Sequence, residues 1–159
     1  MNDNYIMKVL DFKQEYMITK EEKVQIEEAR DVAKVVNSIE GLGNSTRERF
    51  ILLGLDNKSY VTFIYNVHIG TLNASLIHPR DCFKAAIENN SASVIFVHNH
   101  PSQNAFRSPE DVYTSKRLAL CGEILGIQVL DSIIVTQEEY YSLHENNELE
   151  LAIDTKDLF

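Results

Sequence analysis

The chain has 159 residues, of which 44% are apolar, 25% charged and 9% aromatic; this is the composition of one globular domain and excludes a disordered or collagen-like chain. Its net charge is −9, with 15 basic and 24 acidic side chains. No run approaches the roughly 18 apolar residues of a membrane span, the start Met1-Asn2-Asp3-Asn4 carries no signal-peptide pattern, and Cys82 and Cys121 form no CxxC pair.

Residues 5–18 read as a short strand or irregular lead-in. Thr19 with Glu22 resembles a capping box, and Val24, Ala29, Val32, Ala33, Val36 and Ile39 follow at helical spacing, so a helix is expected from Thr19 to Gly41. Gly41 and Gly43 end it. The Gly41–Ser45 segment marks a boundary: residues 1–43 form an N-terminal extension, 44–145 the main domain and 146–159 an acidic tail.

From Phe50 the period changes. Residues 50–56 and 59–66 are two β-rich runs separated by Asn57-Lys58, an antiparallel hairpin. A further extended stretch surrounds Gly70-Thr71-Leu72. His78-Pro79 opens a helix with Phe83, Ala86 and Ile87 on its apolar side. Residues 93–97 are almost continuously apolar and should form a central buried strand ended by Pro101. Ser108-Pro109 starts a helix that runs to about Leu125 and is capped by Gly126. Residues 128–135 form one last strand or a broken one, and Tyr140-Tyr141 packs the following segment onto the core. Strands interleaved with helices give an α/β fold with helices on both faces of a sheet.

Charge narrows the function. Residues 1–45 carry 6 basic and 9 acidic side chains, residues 46–136 carry 8 and 8, and residues 137–159 carry 1 and 7. Duplex binding needs a basic stripe to displace counterions. This body is neutral and its ends are acidic, so strong nucleic-acid binding is not expected. The two separated cysteines read as buried thiols in a reducing compartment, which points to the cytoplasm.

The chemistry concentrates in His98-Asn99-His100-Pro101-Ser102 and Ser108-Pro109-Glu110-Asp111. Side chains at i and i+2 of a strand share a face, so His98 and His100 can converge on one ion. Asp111 is the third residue of the next helix, where the helix dipole favours the anion a metal ligand must be. Two nitrogens and one carboxylate leave a tetrahedral position open, the mark of a catalytic zinc site. One Zn²⁺ per chain is therefore expected, supplying an activated water. A carboxylate outside the ligand set must accept that water's proton. Glu48, in a charged turn just before a buried strand, is the candidate, and the Ser108 hydroxyl is a candidate donor to a developing oxyanion. Each piece also has a plainer reading: a histidine pair at a strand end, an aspartate serving only the Ser108 capping box, and a solvated glutamate. HNH nucleases scatter their histidines over a ββα element, and zinc deaminases need H-x-E with P-C-x-x-C, which this chain lacks.

The run HNHPSQNAFRSPEDVYTSKRL resembles the metal-binding segment of RadC-like proteins of the JAB/JAMM (MPN) metalloprotease superfamily. Similarity extends to Glu48-Arg49-Phe50 with Leu55-Asp56, Gly70-Thr71-Leu72-Asn73 with Ser75, His78-Pro79-Arg80-Asp81, and Leu130-Asp131. The resemblance implies a cytidine-deaminase-like α/β/α sandwich around a mixed sheet. It implies His98, His100 and Asp111 as zinc ligands, Glu48 as general acid/base and Ser108 as oxyanion-stabilising serine. It further implies hydrolysis of a peptide or isopeptide bond in a protein or peptide substrate, whose extended tail could add to a sheet edge. Alternatives are a non-catalytic binding or scaffold module and, on the family name alone, a DNA-repair-associated accessory factor. Three positions depart from the family pattern: Gln103 replaces its usual glycine, Arg107 its usual proline and Ser132 a frequent histidine.

Overall fold

The structure, a computed structural model, describes residues 23–70 and 77–151. The expected lead-in at 5–18, the Thr19 cap and most of the stretch after Gly70 lie outside the described residues. Among these residues, five strands form one sheet: β1 (Arg49–Leu55), β2 (Val61–Ile69), β3 (Ser93–Asn99), β4 (Gln128–Val135) and β5 (Tyr140–Ser142). The spatial order is β2-β1-β3-β4-β5. Only the β3–β4 pair is parallel, and the others are antiparallel, so the sheet is mixed as expected.

Three α-helices of the described residues cover it: α1 (Ala29–Glu40), α2 (Pro79–Glu88) and α3 (Pro109–Leu125). The strands have two buried faces, and alternate residues serve each. Ile51, Leu53, Ile95, Val97, Ile133 and Val135 meet Val32 and Val36 of α1 on one side. Phe50, Leu52, Val94, Phe96 and Ile134 meet Phe83 of α2 and Leu118 of α3 on the other. The result is an α/β/α sandwich. The helix placed in the N-terminal extension thus closes one of its two cores.

Four local expectations are corrected. The first helix starts at Ala29, not after Thr19. Val24 and Ile26 are held instead beside β2, where Val61 N–H donates to Val24 O and Ile26 N–H to Ser59 O, each at 2.9 Å. Backbone pairing with a strand edge overrides a helical spacing of apolar residues. Ile87 is 55% exposed, because the buried side of α2 runs through Cys82, Phe83, Ala85 and Ala86 and ends one residue before it. Ile39, near the end of α1, is also exposed. Of the two cysteines, Cys82 is buried and Cys121 only half-buried. Burial pushes the Cys82 thiol up to about 12, so it is an inert packing group.

Toward the β5 edge of the sheet, residues 128–135 form one continuous strand rather than a broken one, and Tyr140-Tyr141 belong to β5 itself. Gly43 lies against the turn after β4, where a Cβ would fall 2.4 Å from Thr136 O. The Asn37 side chain secures that approach, donating to Thr136 O at 3.1 Å and accepting from Gly43 N–H at 2.8 Å. No helix of the described residues is long and apolar enough to cross a membrane.

Candidate metal centre

Strand β3 ends at Asn99; Phe96 and His98 share its α2/α3 side, and His100 follows one residue past its end. Phe50, the β1 partner of His98, stacks on the His98 ring at 5.9 Å and on Phe96 at 5.5 Å. His98 is buried and His100 half-buried. After Pro101 the chain loops out and returns at Ser108, the N-cap of α3. Ser108 Oγ accepts from Asp111 N–H at 3.1 Å, and Ser108 N–H donates to Asp111 Oδ2 at 2.6 Å. This capping box fixes the Asp111 carboxylate at the mouth of the helix. Its plain role as a capping partner and its expected role as a ligand are therefore compatible.

His98 Nε2 lies 3.0 Å from Asp111 Oδ1 and 3.3 Å from His100 Nε2, and His100 Nε2 lies 3.4 Å from Asp111 Oδ2. Bonds of about 2.0–2.1 Å at tetrahedral angles place neighbouring ligand atoms about 3.3–3.4 Å apart. Two of these separations match that spacing and the third is shorter, with the histidines facing different oxygens of Asp111, so the three side chains converge closely enough to share one ion. They form the one group of potential metal ligands of this kind among the described residues.

The ring contacts of His100 fit the same use. His100 Nδ1 is 2.9 Å from Asn104 O. A carbonyl oxygen only accepts, so Nδ1 carries the proton, and in the neutral ring Nε2 is the bare nitrogen facing the triangle. His98 Nδ1 is buried with no hydrogen-bond partner, and the polar contacts of its ring run through Nε2.

Electrostatics follow from the crowding. Burial pushes the Asp111 carboxyl up, but hydrogen bonds with His100 and His98 outweigh it and hold the group well below the usual carboxylate range. The hydrogen bond to Asp111 raises the His100 ring above its ordinary value, and the charge of Glu48 adds to this. A metal must then compete with a proton at His100. The thermal stabilisation conferred by added Zn²⁺ is expected to grow as pH rises and the ring gives up its proton; a shift independent of pH in differential scanning fluorimetry contradicts this.

The triangle lines a cleft of about 1100 Å³ whose wall includes Glu48 and Ser108. Every site residue expected from the sequence therefore borders one cavity. Thr114 and Ser115, buried one turn beyond Asp111, also line it and carried no signal in the sequence. Ser115 Oγ donates to Ser132 Oγ at 2.7 Å, so the serine at the family's histidine position ties α3 to β4.

The other two departures brace the loop between the ligands. Gln103 adopts φ 61°, the left-handed conformation for which glycine is the usual choice. Its side chain donates to Gly43 O and accepts from Gln137 N–H, each at 3.0 Å. The Arg107 guanidinium contacts both oxygens of Glu148 through Nε at 2.9 and 3.2 Å, and Tyr141 Oη donates to the same carboxylate at 2.9 Å. Glu148 belongs to the segment read as an acidic tail; it folds back here, with Leu149 buried in the core beside α3.

An α/β/α sandwich with this triad at the junction of a central strand and the next helix defines a JAB-type domain. The chain belongs to the RadC-like JAB domain family, whose model matches residues 26–149. It is 44% identical over 130 residues to a UPF0758 protein of Staphylococcus haemolyticus, covering 82% of this chain and 56% of that one. It is 42% identical over 120 residues to a UPF0758 protein of Desulfitobacterium hafniense, covering 76% and 52%. A UPF0758 protein of Geobacillus kaustophilus is 45% identical over 115 residues, covering 72% and 50%. The chain thus spans about half the length of the curated relatives it matches.

Proposed function

We propose that this domain is a zinc-dependent hydrolase of a peptide or isopeptide bond. The observation that carries the reading is the convergence of His98, His100 and Asp111, their nitrogens and carboxylate oxygens 3.0–3.4 Å apart, in a cleft walled by Glu48 and Ser108. Two imidazoles and one carboxylate are the donor set of catalytic zinc sites, which keep a fourth position open. Zinc, when bound, would act as a Lewis acid on a carbonyl and lower the pKa of water to about 7.

The chain's own residues supply the rest. Glu48 takes the proton of the attacking water and returns it to the departing amine. Ser108 Oγ, which accepts from Asp111 N–H, keeps its own hydroxyl proton to donate to the developing oxyanion. Asp111 is held as an anion, so it stays a ligand rather than competing as a base.

The test pairs metal analysis with cleavage of an internally quenched peptide library that includes members linked through a lysine ε-amino group. The wild-type chain should hold about one zinc and cleave members of the library. Glu48→Gln should keep the zinc and lose at least about 100-fold in kcat, the span of general acid–base catalysis. Equal turnover of Glu48→Gln and wild type overturns the assignment of Glu48. Zinc bound without any cleavage replaces the hydrolase reading by that of a non-catalytic binding module.

A further inference from the structure

Between the two histidines lies a residue that the proposed chemistry does not use. Asn99 is fully buried, and the strand's alternation puts its side chain on the sheet face opposite to His98 and His100. There it makes three hydrogen bonds to one segment. Asn99 Oδ1 accepts from Arg49 N–H at 2.8 Å, and Asn99 Nδ2 donates to Ser45 O at 3.2 Å and to Arg47 O at 3.1 Å. The amide orientation is set by its partners, because an N–H needs the oxygen and two carbonyls need the NH₂ group. Both amide protons and the carbonyl are engaged.

The bonds to Arg47 and Arg49 flank Glu48 on either side. We propose that Asn99 is a positioning residue that holds Glu48 at the metal cleft, on the reading that Glu48 is the proton carrier. Beyond the β1–β3 ladder that pairs Phe50 with His98, one amide at the end of β3 ties the ligand-bearing strand to the 45–49 segment that presents the base. Other bonds support this segment: Gly70 N–H donates to Glu48 O at 2.8 Å, and the Arg49 guanidinium donates to Glu40 O at 3.0 Å. Neither comes from the strand that carries the ligands. Asn99 therefore ties the segment to the strand that carries the ligands, whereas these two bonds tie it to Gly70 after β2 and to the end of α1.

The experiment uses the zinc-loaded chain and two variants, Asn99→Ala and Asn99→Asp. Aspartate keeps the acceptor for Arg49 N–H but sets a carboxylate oxygen against the carbonyls of Ser45 and Arg47. Both variants should retain zinc and lose about 10–100-fold in kcat, with KM little changed, the usual cost of removing a group that orients a metal site. Added to Glu48→Gln, Asn99→Ala should cost little more, because both changes act on one proton transfer. Hydrogen exchange should quicken at the Arg49 amide and along 45–49 while the core of β3 stays protected.

Full additivity of Asn99→Ala with Glu48→Gln overturns the proposal, as does loss of zinc in either variant or unchanged exchange at 45–49. A wild-type chain that cleaves nothing removes the hydrolase reading and the catalytic role of Asn99 with it. The exchange data then report separately whether Asn99 holds the segment.

Discussion

Asp111→Ala is expected to lose stoichiometric zinc altogether, measured by metal analysis after gel filtration, and Asp111→Asn to lose it nearly as well. Asp111 is the one anion in the triangle, within 3.0 Å of His98 Nε2 and 3.4 Å of His100 Nε2. Two neutral imidazoles without it leave half of a tetrahedral shell and no charge to oppose a divalent cation. The alanine variant also loses the capping box of α3, about 1 kcal/mol of helix-end stabilisation. The asparagine variant keeps an oxygen to accept from Ser108 N–H, so comparing the two separates the cap from the ligand. Retention of one zinc in both variants removes the site.

The metal-free protein should show the pH signature of the same contacts. Asp111 has its folded pKa depressed, so its contribution to stability is present above the unfolded carboxylate pKa of about 3.9 and is lost as pH falls through the folded value. His100 has its folded pKa raised, so its contribution is present below about 6.5 and is lost as pH rises through the folded value. Both contributions are in force between about pH 4 and 6.5. Asp111→Asn should flatten this profile in urea titrations of the metal-free chain.

Phe96→Ala is expected to cost about 3–5 kcal/mol of folding stability, a fall in melting temperature on the order of 10 °C. Phe96 is completely buried on β3, between Phe50 at 5.5 Å and the edge-on ring of Phe83 at 6.2 Å. It joins the sheet to α2 two residues before the first histidine. Removing the ring leaves a cavity beneath Phe50, and Phe50 also supports His98. Zinc affinity should therefore fall together with stability. A melting temperature within about 2 °C of wild type would show that the core collapses around the gap and that Phe50 holds His98 unaided.

How much of the fold and the site was legible in the sequence depends on the range of the interaction. His98, His100, Ser108 and Asp111 lie within fourteen residues on a strand end and a helix start. Strand alternation and helix capping are local rules, so the spacing already implied that these side chains converge. The two-sided burial of β3 was legible for the same reason, from a continuous apolar run. The first helix was misplaced at its start because Val24 and Ile26 satisfy a helical period and also a strand edge, and only Ser59 and Val61 decide between them. Ile87 has the right composition for the buried side of α2 and the wrong angle.

By itself, the sequence determined that this is an α/β domain with three potential metal ligands in one short segment, because those features follow from backbone geometry over a few residues. Only the tertiary structure decided what surrounds the ligands. Asn99 meets Arg49 fifty residues away, Gln103 meets Gly43 sixty residues away, and Arg107 meets Glu148 forty-one residues away. No periodicity or propensity connects such positions. They are brought together by burial of the two sheet faces, which sets the relative placement of segments while leaving no trace in the local order of residues.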